Sequence, residues 1–110
     1  MKKANILVTG ACGHLGRNLI TKLLENNNFN LVGLDIVTNE SIFKSIKYIK
    51  TNLDNIPLLS EALNGIDLIC HCAGVHGLHN VDINTHKQYF KNNVIGTQNL
   101  YKEANKKNIK

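Results

Sequence analysis

Cysteine is scarce in this chain of 110 residues, and what is present builds no framework. Cys12, Cys70 and Cys72 are odd in number and fall at no spacing of a disulfide scaffold. Cys70-His71-Cys72 has no second ligand pair to complete a metal site, so these residues read as part of an apolar strand and no metal is expected. Long apolar runs are also missing. No segment approaches the ~20 residues that span a bilayer. Ile6 to Val8 is far too short for the core of a signal peptide, so the chain is read as cytoplasmic, with no membrane partner. Aromatic residues make up only 5%, and eight acidic residues stand against thirteen basic ones, for a formal charge of +5. Twelve of those thirteen are lysines scattered along the chain, without a dense basic run or interleaved aromatics. That argues against a nucleic-acid surface and for a solvated lysine surface, whose mild positive field attracts anionic ligands. There is no internal repeat, low-complexity block or linker, and the length leaves room for one domain.

What is present centres on Thr9-Gly10-Ala11-Cys12-Gly13-His14-Leu15-Gly16. The apolar run Ile6-Leu7-Val8 enters it, and a helical pattern of Leu15, Leu19, Ile20, Leu23 and Leu24 leaves it. The glycines therefore sit on a strand-to-helix turn, where free backbone N–H groups at a helix start can hold a pyrophosphate. In that arrangement Gly10 allows the tight turn, Gly13 lets the backbone approach phosphate, and Gly16 lets the helix pack close to the strand. The spacing is G-x-x-G-x-x-G rather than G-x-G-x-x-G. No Gly-Lys-Ser/Thr closes it, which excludes a P-loop.

The remaining pattern alternates strand and helix. Strands are expected over residues 5–9, 30–36, 47–50 and 66–72, the last of them apolar enough to be covered on both faces. Helices are expected over residues 14–26, 57–64 and 86–107. Asn26 to Asn28 end the first, and Gly65 sits just past the second. Residues 37–45 read as a short polar connection with one helical turn, and 74–85 as a loop. In the last helix Phe90, Val94, Thr97, Tyr101 and Ala104 recur at i, i+4, i+7, i+11 and i+14. Such alternation implies an α/β fold, a doubly wound parallel sheet with right-handed crossovers. In the order 3-2-1-4 the glycine turn and the end of strand four flank the switch point where a ligand belongs. Asp35 ends strand two, 19 residues past Gly16, near the ~20 expected of an acid that binds ribose.

Four motifs occur in order: Thr9-Gly10-x-x-Gly13-x-x-Gly16, Gly33-Leu34-Asp35, His71-Cys72-Ala73-Gly74 and Asn93-Val94-Ile95-Gly96-Thr97. Through them nearly the whole chain resembles the N-terminal part of the extended short-chain dehydrogenase/reductase superfamily, the NAD-dependent epimerase/dehydratase family. The resemblance implies an NAD(P)-binding Rossmann fold, here incomplete at strands 1–4, with residues 1–110 as its N-terminal part and no second domain. It implies that Gly10, Gly13, His14, Leu15 and Gly16 line the pyrophosphate, and that Asp35, followed by Ile36, takes the adenosine ribose. Asn52 and Leu53 fall where the family contacts the adenine edge, Asn52 replacing its usual aspartate. Cys72, Ala73 and Gly74 would pass under the cofactor. His76 stands where sugar-nucleotide epimerases often carry a lysine, and Asn93 matches the helix asparagine that supports the catalytic centre.

The cofactor implied is NAD rather than NADP. A 2′-phosphate would meet the like charge of Asp35, and neither Ile36 nor Val37 offers it an arginine. Arg17 has three readings: against the pyrophosphate, toward a 2′-phosphate, or solvated. The family works through a Ser and a Tyr-x-x-x-Lys, in which the lysine favours the tyrosinate. None of Tyr48, Tyr89 and Tyr101 is followed by lysine at the fourth position, and the family's catalytic pair lies beyond this last helix. Lys110 falls where a fifth strand would begin, which would leave strand four as a sheet edge. Two functions follow. One is the cofactor half of an epimerase, dehydratase or reductase that transfers hydride on a nucleotide-sugar and is homodimeric when complete. The other is a non-catalytic dinucleotide-binding module.

Overall fold

The computed structural model describes residues 3–37, 44–73, 87 and 90–109. Its elements are β1 (Ala4–Thr9), α1 (His14–Leu24), β2 (Phe29–Asp35), β3 (Lys47–Lys50), α2 (Ile56–Ala62) and β4 (Leu68–His71). A π-helical segment, Phe90–Ile95, then runs directly into α3 (Gly96–Lys106). The strands form one parallel sheet in the order β3-β2-β1-β4, as the alternating pattern requires. The polar turn expected within 37–45 falls largely outside the described residues. So does the loop expected over 74–85, with Gly74 and His76 in it.

Alternation along β1 sends successive side chains to opposite faces and so builds two cores. Ile6 and Val8 join Ala11, Leu31 and Ile20 of α1 on one face. Leu7 joins Leu34, Leu53, Leu59 and Leu63 of the α2 side, and Leu100 and Ala104 of α3, on the other. Helices on both faces make the sheet doubly wound.

Three sequence readings are refined. First, the apolar pattern of α1 is buried only in part: Leu15 is 66% exposed, Leu24 is exposed, and the buried residues are Gly16 and Ile20. The close approach of Gly16 to the strand turn sets which face of the helix is buried, and Leu15 lies off that face. Second, β4 is covered on both faces only in part: Ile69 packs against the Leu7 core and Cys70 against the Ile6 core, both half-buried, while Leu68 is exposed. Among the described residues it pairs with β1 alone.

The third concerns the last helix. Its buried residues are Gly96, Leu100, Glu103 and Ala104, whereas Val94 is exposed and Tyr101 is 74% exposed. Of the expected stripe within α3 only Ala104 is buried, and the helix is preceded by a π-helical segment, whose i→i+5 bonding follows a different period. Glu103, buried on that face, is held by Lys106, with Nζ 2.9 Å from Oε2.

Candidate functional site

The carboxyl ends of β1, β2 and β4 converge on the turn between β1 and α1. Gly10 has φ +66°, and a Cβ there would lie 2.7 Å from the Ala73 nitrogen and from the Cys72 carbonyl group. The chain leaving β4 thus presses directly on the glycine turn. A Cβ on Gly16 would lie 2.1 Å from the Gly10 carbonyl oxygen. Both glycines are demanded by the protein's own packing. Gly13 is different. Among the described residues a Cβ there would meet only the Gly10 oxygen at 3.4 Å, an ordinary contact, and its φ is −77°. The space before Gly13 is open, and α1 starts there with no side-chain cap and no acidic residue in its first turn. Free N–H groups at an uncapped helix start, with room for close approach, fit a pyrophosphate. His14 and Leu15 are exposed on that first turn, with Asn18 Nδ2 3.4 Å from His14 Nε2.

Asp35 closes the other side. Its Oδ2 accepts from the Cys12 N–H at 2.9 Å, and its Oδ1 from the Ile36 N–H at 2.6 Å. The carboxylate is therefore fixed to the glycine turn, and each oxygen keeps a lone pair for a hydroxyl. Arg17 folds back on the same turn, Nη2 donating to the Cys12 carbonyl at 3.2 Å, which places its charge beside the turn. Below Asp35, Tyr48 donates to the Val37 carbonyl and accepts from Cys12 Sγ at 3.5 Å. Burial, then the bond to Cys12 and the charges of Cys12 and Asp35, hold the phenol well above its ordinary range, so it stays protonated.

Beyond Asp35 lies a cavity of about 320 Å³ lined by Ile36, Lys50, Thr51, Asn52, Asn55 and Leu58. Leu53 is not among its lining residues: its side chain is in the core, and its carbonyl accepts from Asn99 Nδ2 at 3.0 Å. Cys72 and Ala73 lie against Gly10, with the Cys72 N–H donating to the Thr9 carbonyl at 3.1 Å. Burial, then the neighbouring Cys70, pushes the Cys72 thiol up, away from a reactive thiolate. Asn93 lies exposed in the π-helical segment.

A group the motifs did not reveal holds these parts together. Thr9, wholly buried, lies opposite His71 in the β1–β4 register, its Oγ1 2.6 Å from His71 Nδ1. The same hydroxyl accepts from the Ala73 N–H at 3.2 Å, and His71 Nε2 lies 2.8 Å from Thr97 Oγ1. One imidazole thus joins β1, β4 and α3, and ties the Asn93-to-Thr97 stretch to the glycine turn. The parallel register, which makes Thr9 and His71 neighbours, was the only signal for it. Burial lowers the pKa of His71 below its ordinary value. The unfolded chain therefore takes up this proton first. The contribution of His71 to stability is full above about pH 6.5 and is lost as pH falls from there through the folded-state value. Thermal unfolding between pH 7.5 and 5 should show a fall in Tm that is shallower in His71→Asn; equal slopes would remove His71 as its source.

Comparison with known proteins agrees with this geometry. The model of the NAD dependent epimerase/dehydratase family matches residues 6–110. The chain is 30% identical to the uncharacterized UDP-glucose epimerase YtcB of Bacillus subtilis (strain 168), over 94% of this chain and 37% of that protein. It superposes on the UDP-glucuronic acid 4-epimerase of Bacillus cereus, solved with UDP-glucuronic acid and NAD, with a TM-score of 0.80 at 28% identity. That match covers 91% of this chain and 36% of the other. On uronate dehydrogenase from Agrobacterium tumefaciens the TM-score is 0.76 at 26% identity, over 96% and 37% of the two chains. The chain thus spans little more than a third of the length of these relatives.

Proposed function

From a chain that belongs to the NAD-dependent epimerase/dehydratase family, we propose the NAD-binding N-terminal part of an enzyme that transfers hydride on a nucleotide-sugar. One observation carries this reading: the ribose acid and the phosphate turn form one unit, Asp35 accepting from the Cys12 N–H at 2.9 Å beside the open space at Gly13. Gly13, His14, Leu15 and the start of α1 take the pyrophosphate. Asp35 takes the adenosine ribose, Ile36 and Asn52 border the base, and Cys72 and Ala73 lie under the cofactor. Asn93 supports the reacting end. The charge on Asp35 selects against a 2′-phosphate, and Arg17, turned to the Cys12 carbonyl, faces the pyrophosphate side. NAD, when bound, supplies the hydride acceptor.

The likeness to the Bacillus UDP-sugar epimerases supports a UDP-sugar as the substrate class, and that to uronate dehydrogenase supports a hydride-transfer chemistry wider than epimerisation. No tyrosine here has a lysine four residues on, so these residues bind the cofactor without turning it over. Titration calorimetry tests the reading directly. NAD should bind more tightly than NADP; equal or reversed affinities would refute the assignment of Asp35.

A further inference from the structure

The cavity beside Asp35 has an unusual polarity. Two amides line it, and both have their oxygens committed. Asn52 Oδ1 accepts from the backbone N–H groups of Asp54 at 2.9 Å and Asn55 at 3.1 Å. Asn55 Oδ1 caps α2, accepting from the Leu58 N–H at 3.2 Å. A backbone N–H cannot face an amide NH₂, so these bonds settle which end of each side chain is which. The ends left over are both NH₂, and among the described residues no hydrogen bond takes up either of them. Thr51, the other neutral polar side chain in the lining, is buried and gives its proton to the Asn52 carbonyl at 3.1 Å. The apolar walls are Ile36 and Leu58, both partly exposed, which suit the faces of a flat ring.

Resting on the dinucleotide reading above, this cavity is where the purine base goes, because Ile36 follows Asp35 directly at the end of β2. We infer that the slot reads hydrogen-bond acceptors on the base, and that it holds a 6-oxopurine dinucleotide at least as tightly as the 6-aminopurine one. The chemistry is a matter of matching edges. A 6-oxopurine presents two adjacent acceptors, O6 and N7, to a pair of N–H groups. On the same N7-bearing edge adenine presents one acceptor, N7, beside its own N6 amine, so one donor meets a donor. Adenine still binds through N7, but the second N–H is left unpaired. Asn52 thus sets base preference through its nitrogen, while its oxygen builds the turn.

The test compares NAD with nicotinamide hypoxanthine dinucleotide by titration calorimetry. In the wild type the hypoxanthine analogue should bind equally or up to roughly tenfold more tightly. Asn52→Asp keeps the turn, since a carboxylate oxygen still accepts both N–H groups, and turns the other donor into an acceptor for N6. The ratio of affinities should then move toward NAD by roughly three- to tenfold. Asn55→Asp, which also remains a good helix cap, should move it the same way. Added negative charge acts on both dinucleotides alike and cancels in the ratio. A wild type that prefers NAD by threefold or more, or a ratio unchanged in Asn52→Asp, overturns the base assignment alone. Failure of both dinucleotides to bind overturns the cofactor reading, and this inference with it.

Discussion

Gly16→Ala should destabilise the fold strongly, while Gly13→Ala should keep the fold and weaken ligand binding. The contrast follows from two distances. At position 16 a methyl group would sit 2.1 Å from the Gly10 carbonyl oxygen and 2.8 Å from its carbon. Both are backbone atoms, so no side-chain rotation relieves the overlap, and α1 must move off the sheet. Overpacking of cores costs about 1–3 kcal/mol and sometimes more, and a clash with backbone belongs at the upper end. A loss of about 3 kcal/mol corresponds to roughly 10–20 °C in Tm for a domain of this size. Circular dichroism melting would read it. A Tm within a few degrees of wild type would mean that α1 is free to shift and that its close packing is not a constraint.

At position 13 the same methyl group meets one atom at 3.4 Å with φ at −77°. Gly→Ala at such a site is close to neutral, because restriction of the unfolded chain offsets the poorer N-cap that alanine makes. The methyl group would instead occupy the space a phosphate oxygen needs to reach the N–H groups of α1. The loss of one charge-assisted bond, about 1.5–3 kcal/mol, is tenfold or more in NAD affinity. An unchanged Tm with unchanged NAD affinity would show that the phosphate does not approach there. Gly10→Ala should follow Gly16→Ala, since its φ of +66° and the contact with Ala73 at 2.7 Å both resist a side chain.

Asp35→Ala should weaken NAD about 10- to 100-fold and narrow its advantage over NADP. Two effects contribute, and they separate cleanly. The carboxylate receives the ribose hydroxyls, and it also holds the glycine turn through the Cys12 N–H. Loss of the second role weakens both cofactors equally. Loss of the first weakens NAD alone, and removal of the negative charge helps NADP. The quantity to measure is therefore the ratio of the two dissociation constants. If both rise together at constant ratio, Asp35 is a clamp for the turn and not a ribose ligand. Asp35→Asn is no gentle control. Both carboxylate oxygens accept backbone N–H groups, and an amide would turn its NH₂ toward one of them.

Much of this site is legible in the residues themselves because its signals are local. Gly10, Gly13 and Gly16 announce a turn, Ile6-Leu7-Val8 a strand, and Asp35 the end of the next strand at a characteristic spacing. Alternating elements of that length permit few topologies, and β3-β2-β1-β4 is the one adopted. Three things depended on neighbours distant in sequence. The stripe from Phe90 through Tyr101 assumed one helical period, whereas the stretch is a π-helical segment followed by a helix that buries Leu100 and Glu103 and exposes Tyr101. The apolar pattern of α1 did not say which of its leucines is buried; the contact between Gly16 and Gly10 leaves Leu15 exposed. His71 looked like a motif letter in an apolar strand until strand register set it against Thr9 and helix packing set it against Thr97.

The sequence by itself determined the order of elements, the parallel sheet, and the placing of a glycine turn and an acid at one end of it. Backbone conformation at glycine and the period of apolar residues are properties of short stretches, and they need no partner to be read. Only the tertiary structure decided which glycines the protein needs for itself and which one it leaves open. It also decided that Asp35 and Cys12 form a unit, and that Asn52 offers its nitrogen and not its oxygen to the cavity. Each of these turns on a hydrogen bond or a contact of a few ångströms, and such distances exist only once the sheet has brought its strands into register.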